Sequence, residues 1–367
     1  MALYISIAVF LIAGLFLELA TKRKKATYTL ENSELKSEVK HTRMQIAFFA
    51  LTILVLWFLT AFRSEKIGND TEQYIRYFNF FANYGVDPNG RLEMGYQVLN
   101  VLVSKISDNP QFFFAFVATI CYVGTGIYIY KYSDNLVFST VLLFPVAYSF
   151  FASGLRQAIA MVICLYAYQA IKKKKLIVAI LLILFAMTFH TSAFIMVFLF
   201  LHKVLPKKLF FVLSLTLVFA ALSLTGVMDN VFADVFENSY GGYYDRKNLT
   251  NGWLAISYYC LRNLVFYILV QTAYGNKRKE NSLSISLFSM LLITVAFGFS
   301  INLFNRATNY FLLITLVELP NAIYRGRINN KKFFVFAIGF IMVLYFLVTL
   351  IIRPEWNHLY PYEFCWN

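Results

Sequence analysis

Between Lys172-Lys173-Lys174-Lys175 and His202-Lys203 runs LIVAILLILFAMTFHTSAFIMVFLFL, residues 176–201. These 26 apolar residues are too many for one span of about 20 and too few for two of that length. Basic residues flank both ends, and basic loops stay on the cytoplasmic side of a membrane. The segment must therefore go out and come back, as two helices of about 13 residues, each roughly 20 Å long. Neither crosses a hydrocarbon core of about 30 Å, so the junction Phe189-His190-Thr191-Ser192 should lie below the outer surface. Non-helical backbone at that depth is tolerated only inside protein or beside a wet cavity. His190 is thereby placed in a recessed, outward-facing pocket.

The same rhythm extends in both directions from this pair. Apolar runs of span length occupy Ala2–Ala20 and residues 44–62, 111–130, 136–152, 157–171, 209–226, 254–272, 282–301, 307–324 and 333–352. With the pair this makes about 12 transmembrane helices, or 11 if 176–201 is one long helix. Loops assigned to the cytoplasm hold 22 Lys/Arg against five acids, and the opposite loops ten against twelve. That asymmetry puts both termini outside. Of 367 residues, 59% are hydrophobic and 14% charged, with a mean hydropathy of +0.62. A soluble domain carries about 25% charge and about 45–50% apolar residues. A water-soluble enzyme, a coiled coil and a disordered regulator are excluded. The expectation is an all-α, polytopic membrane helical bundle forming a single integral membrane domain over residues 1–367. The net charge of +14 follows from the cytoplasmic loops, so membrane lipids are expected as partners and nucleic acid is not.

Ala2–Ala20 lacks a basic n-region and runs into Thr21-Lys22-Arg23-Lys24-Lys25, so it reads as a retained span and not a cleaved signal. The four cysteines, Cys121, Cys164, Cys260 and Cys365, build neither a disulfide framework nor a zinc spacing. Two outer loops are long, 63–110 and 227–253, and long loops in compact folds tend to carry function. The second contains Tyr240-Gly241-Gly242-Tyr243-Tyr244-Asp245.

A charge inside or at the edge of a span needs a partner or water, which selects Arg156, His190, Arg262, Arg306 and Glu318. Arg156 opens a helix after Ser153-Gly154, where backbone N–H groups and the guanidinium both face an anion; a snorkelling interfacial arginine reads the same way. Arg306, after Asn302 and Asn305, is in the same situation. Arg262 is too deep in its run to snorkel and must pair or line a cavity. Glu318 lies nearer the cytoplasmic side, where a structural ion pair competes with a role in chemistry. Outward arginines without an equal number of buried acids suit a phosphate or diphosphate, and a lipid-linked diphosphate would keep its tail between helices and its head group at the arginines. In loop 63–110, Asp70, Glu72 and Tyr74, with Glu93 and Tyr96, combine carboxylates that bind hydroxyls with rings that stack on sugar C–H surfaces. His190, Asp70 or Glu93 can each serve as the general base toward an acceptor hydroxyl, although a packed histidine bonded to Thr191 or Ser192 fits equally. No metal motif is present: there is no HExxH, and Asp70-x-Glu72 is a weak pair.

Taken in order, Gly68-x-Asp70-x-x-x-Tyr74, Glu93-x-Gly95-Tyr96, Arg156 with Ala158 and Ala160, His190-Thr191-Ser192-Ala193, Arg306-x-x-x-Tyr310 and Tyr360-Pro361-Tyr362-x-Phe364 resemble the EpsG family of bacterial exopolysaccharide proteins, which is similar to Wzy-type repeat-unit polymerases. The resemblance covers roughly Met44 to the C-terminus. It implies a GT-C-like membrane glycosyltransferase of the bacterial cytoplasmic membrane, active on its outer side. A growing exopolysaccharide or capsule glycan on undecaprenyl diphosphate would pass to the non-reducing end of a newly flipped lipid-linked repeat unit. Arg156 and Arg306, helped by Arg262, would neutralise the leaving diphosphate. His190, or failing that Asp70 or Glu93, would take the acceptor proton, and Tyr74, Tyr96 and Tyr310 would meet glycan. No cofactor and no metal are implied; a chain-length regulator and a flippase are expected partners. Three alternatives stand beside this reading: a GT-C transferase using a lipid-monophosphate sugar with Asp70 and Glu72, a lipid-linked glycan transporter or flippase, and, ranked below these, a membrane O-acyltransferase.

Overall fold

The computed structural model describes residues 1–20, 27–31, 34–38, 41–225, 253–275, 279–297 and 302–366. Within the described residues, each apolar run of the sequence forms helix. In chain order these are α1 (Ala2–Ala20), α2 (Arg43–Ala61), α5 (Pro110–Tyr132), α6 (Leu136–Leu143), α7 (Ser149–Ser153), α8 (Leu155–Lys172), α9 (Leu176–Met187), α10 (Leu209–Leu224), α11 (Trp253–Tyr274), α12 (Ser282–Phe297), α13 (Asn302–Arg325) and α14 (Lys331–Ile352). A π-helical turn, Phe144–Tyr148, joins α6 to α7, and a 3-10 helix, Thr191–Leu201, follows α9. Local chemistry sets several starts. Thr42 and Gln45 form a reciprocal capping box at α2, Asn109 caps α5 ahead of Pro110, and Asn135 caps α6. Pro145 has no N–H to give, and the helix takes a wider turn around it. Among the described residues, the elements other than helix form one antiparallel hairpin, β1 (Thr27–Glu31) with β2 (Glu34–Glu38), in the basic segment after α1.

Among the described residues, five helical segments are each able, by length and composition, to cross a membrane: Ala2–Ala20, Arg43–Ala61, Pro110–Tyr132, Leu136–Ser153 and Lys331–Ile352. Large apolar side chains face outward as well as inward; Val9, Phe16, Ile177, Leu181, Phe333 and Ile341 are all more than half exposed. A helix apolar all round needs either a protein core or lipid around it, and these outward faces suit lipid. At the centre stands α6, all of whose residues are buried, packed against α1, α2, α5, α13 and α14.

The two ends of the bundle differ in chemistry. One carries Lys172–175, Lys203, Lys207, Lys208, Arg325, Arg327, Lys331 and Lys332 and is tied by buried ion pairs. Arg325 binds Asp134 through Nε and Nη2 at 2.5 and 3.0 Å, and Lys172 Nζ meets the fully buried Glu318 at 2.6 Å while Ser284 donates to its other oxygen. Glu318 thus has a structural pairing at this end. The opposite end gathers the C-terminus of α2, the N-termini of α5, α8 and α13, and the C-terminus of α14. Contacts that join them include Gln111 to the Ala61 carbonyl and Gln157 Nε2 to the Arg306 carbonyl, the latter at 2.6 Å.

The segment 63–110, expected as a loop, is largely helical at that end: α3 (Thr71–Tyr84) and α4 (Met94–Ser104). Thr71, Tyr74, Phe78 and Phe81 recur at helical spacing and form the buried face of α3, which explains the difference. The loop expected over 227–253 lies outside the described residues except for Trp253.

Candidate functional site

The junction of the two half-length helices is where the site begins. Helix α9 ends at Met187, and His190 is the N-cap of the 3-10 helix, with Ser192 N–H directed at its Nδ1 at 3.4 Å and Ser192 Oγ at 3.1 Å from the same atom. The first turn of α4 docks on this break: Gly95 N–H donates to the Thr188 carbonyl at 2.8 Å, and Tyr96 N–H to the same oxygen at 3.3 Å. Any larger residue at 95 would put its Cβ 2.8 Å from that carbonyl, so glycine is what lets the two backbones meet. The docking delivers Glu93. One of its oxygens accepts from Arg156 Nη1 at 2.5 Å, the other from Thr191 N–H at 3.2 Å, and His190 Nδ1 stands 3.7 Å from the second. This charge-assisted pair is only part-exposed, 24% at Arg156 and 14% at Glu93, a setting in which such hydrogen bonds contribute about 1.5–3 kcal/mol each.

A second close approach sits above it. Gly68 has φ +90 and lies against the Ala152 carbonyl, where a side chain is excluded by both conformation and space. Its turn lets Asn69 N–H reach Ser153 Oγ at 3.0 Å, which sets Asp70 and the start of α3 beside the start of α8. Asp70 is the N-cap of α3 yet makes no side-chain capping bond, so its carboxylate is uncommitted.

These elements enclose a cavity of about 420 Å³ whose walls include Asp70, Tyr74, Arg156, His190, Arg262 and Arg306. Arg262 comes from α11, with Nε donating to Asn263 Oδ1 at 3.0 Å and its guanidinium against the rings of Tyr259 and Tyr258 at 5.0 and 5.9 Å. Arg306 projects from α13 and is exposed. Among the described residues, Arg156 is the one cavity arginine paired with a carboxylate; Arg262 and Arg306 have no acidic partner. The walls also include Leu312, Met342 and Phe346, so the cavity sets apolar surface beside its guanidinium groups. Burial raises the Tyr74 and Tyr96 phenols above the ordinary tyrosine value, which keeps both neutral.

Six residues singled out from sequence therefore share one cavity: Asp70, Tyr74, Arg156, His190, Arg262 and Arg306. Glu93 is not among the lining residues of this cavity, and its two oxygens accept from Arg156 and Thr191. Tyr96 and Tyr310 are fully buried. Tyr96 packs on Tyr74 with ring centroids 5.9 Å apart, and Tyr310 OH lies 3.1 Å from Ser192 Oγ, so neither ring is presented to the cavity as expected of a sugar platform. Sequence reasoning missed Asn69, Trp356 and Asn357, which also line the cavity. The pointers toward that tail were its place as a third outer segment, 353–367, and the neighbouring Tyr360-Pro361-Tyr362 motif. Among the described residues no three His, Cys, Asp or Glu side chains come together as a metal-binding group.

Against known proteins, the family model described as the EpsG family matches residues 46–364. No curated protein and no solved structure matches the chain. The matched span runs from α2 to the tail and holds every wall residue of the cavity named above. The chain belongs to the EpsG family, a family of Wzy-like membrane polysaccharide polymerases.

Proposed function

We propose that the chain joins oligosaccharide repeat units carried on undecaprenyl diphosphate, on the outer side of the bacterial cytoplasmic membrane, extending exopolysaccharide or capsule. The observation that carries this reading is the convergence of three guanidinium groups from three helices on one cavity, two of them without a carboxylate partner among the described residues. A diphosphate supplies the missing negative charge, and the apolar part of the wall suits an isoprenoid. The positive-inside asymmetry supports an outward-facing cavity, since it lies at the end opposite the lysine-rich loops.

In the reaction, an acceptor sugar hydroxyl attacks the anomeric carbon of the donor glycan. The new C–O bond forms as the bond to the carrier diphosphate breaks, and the hydroxyl proton goes to a base. Arg262 and Arg306 meet the charge gathering on the departing diphosphate, while Arg156 is held in place by Glu93. This stabilisation comes from guanidinium and asks for no metal ion. Ser192 N–H donates toward His190 Nδ1, which leaves the ring proton of the neutral tautomer on Nε2. His190 is then a hydrogen-bond donor to the diphosphate, and the uncommitted Asp70 carboxylate takes the acceptor proton.

Purified protein in nanodiscs, supplied with lipid-linked repeat units, is expected to build a ladder of products on one carrier, equally well with a chelator present. Arg306→Ala should reduce elongation at least 100-fold while the protein still accumulates. A product from a sugar carried on lipid monophosphate, loss of the ladder on chelation, or full-length polymer from Arg306→Ala would each overturn the corresponding part of the reading.

A further inference from the structure

After α14 the chain does not trail away. Arg353 ends the helix, residues Pro354–Trp356 make a short 3-10 turn, and His358 adopts φ +47 to reverse the path. The tail is then fastened across the cavity mouth. Gly68 N–H donates to the His358 carbonyl at 2.9 Å, Asn69 Nδ2 to the Trp356 carbonyl at 2.9 Å, Ser64 N–H to the Glu363 carbonyl at 3.0 Å and Cys365 N–H to the Phe62 carbonyl at 3.0 Å. Lys66 pairs with Glu363 at 2.9 Å, and the Tyr4 and Tyr362 hydroxyls donate to the carbonyls of Leu359 and Leu59, both at 2.7 Å. Seven ties fix a segment of about a dozen residues, far more than a flexible terminus keeps.

What the ties hold in place is chemically specific. Trp356 is half-buried and lines the cavity beside Asn357, Asn69 and Asp70. Arg353 lies 5.8 Å from its ring. Among the described residues, the Asp70 carboxylate, the Asn357 amide and the indole N–H have no hydrogen-bond partner in the protein. A flat ring with open donors and acceptors beside it is the arrangement that a pyranose fills: its axial C–H face packs on the indole while its hydroxyls bond the carboxylate and amide. These three groups are reachable from the cavity, and one sugar can pair all of them at once.

We infer that the tail-borne mouth, Trp356 with Asn69, Asp70 and Asn357, is a sugar-binding subsite, and that it holds the acceptor sugar whose hydroxyl is to be deprotonated by Asp70. This rests on the proposed polymerase reading for which sugar is bound, though not for the binding of sugar itself.

The test reads Trp356 directly. In a protein carrying Trp57→Phe, Trp253→Phe and Trp366→Phe, Trp356 is the remaining tryptophan. Lipid-linked oligosaccharide extracted from polymer-producing cells is expected to shift or quench its emission, while bare undecaprenyl diphosphate is not. An equal response to both lipids, or to neither, overturns the inference. In the elongation assay Trp356→Ala should raise KM for the lipid-linked unit at least tenfold, leave kcat within about threefold, and leave inhibition by bare undecaprenyl diphosphate within about twofold. Trp356→Tyr, which keeps a flat ring, should recover most of the affinity. If Trp356→Ala weakens the bare carrier as much as the glycan, the residue only supports the tail and the subsite falls. A sugar-selective fluorescence change without any ladder would leave the subsite standing and remove the polymerase reading; a ladder with silent fluorescence would do the reverse.

Discussion

His190 shows how one backbone contact assigns chemistry to a side chain. A backbone N–H can only donate, so the Ser192 amide near Nδ1 makes that nitrogen the acceptor and Nε2 the donor. A residue that donates is replaceable by another donor, and a residue that accepts a proton is not. His190→Gln is therefore expected to keep elongation within about tenfold of the native rate, whereas His190→Ala should lose about 100-fold, the usual scale for a lost catalytic hydrogen bond or proton transfer. Equal losses in the two variants, measured as ladder formation per minute, would restore His190 as the base. The location of His190 was readable from sequence because a break between two short apolar helices has few places to lie. Its Ser192 partner was among the readings the sequence allowed; which ring nitrogen takes the bond was not, because that depends on the 3-10 geometry of the following turn. Trp356 was unreadable for a different reason: a lone aromatic after a helix looks like any interfacial anchor until the path of the tail is known.

Helix α4 is an element whose job is delivery. Its N-terminal turn sits on the α9 break through Gly95, and Glu93 reaches Arg156 and Thr191 only because of that seat. Gly95→Ala adds a single methyl against the Thr188 carbonyl and should move α4 off the break, separating Glu93 from Arg156. We expect at least tenfold slower elongation, since displacements near 1 Å at a positioned group cost up to about 100-fold. A thermal midpoint within a few degrees of the native protein would show that the seat, and not the bundle, was disturbed. The paired half-helices and the long spans were legible because apolar length and basic flanks are physical constraints of the bilayer. Helices α3 and α4 were hidden by their polarity. The spacing of Thr71, Tyr74, Phe78 and Phe81 contains the helix, but a polar, turn-rich composition masks a stripe that narrow.

For the whole molecule, the outstanding physical claim is sidedness. The cavity, helices α3 and α4 and the tail share one end, and the lysine-rich loops the other. Cys365 is exposed at the cavity end, Cys121 and Cys164 are buried, and Cys260 is half-buried. A maleimide that cannot cross membranes should label intact cells through Cys365, and Cys365→Ser should remove most of that signal. Labelling that requires lysis would turn the cavity toward the cytoplasm and end the extracytoplasmic reading. The size of the chamber carries a last consequence. At about 420 Å³ it is comparable with a site for one drug-sized ligand, room for the junction being made and little else. On the proposed reading the cavity would meet the same few atoms at the tenth addition as at the first, with the finished strand beyond it. On that same reading this cavity offers no measure of length, and uniformity of polymer length is expected to come from elsewhere.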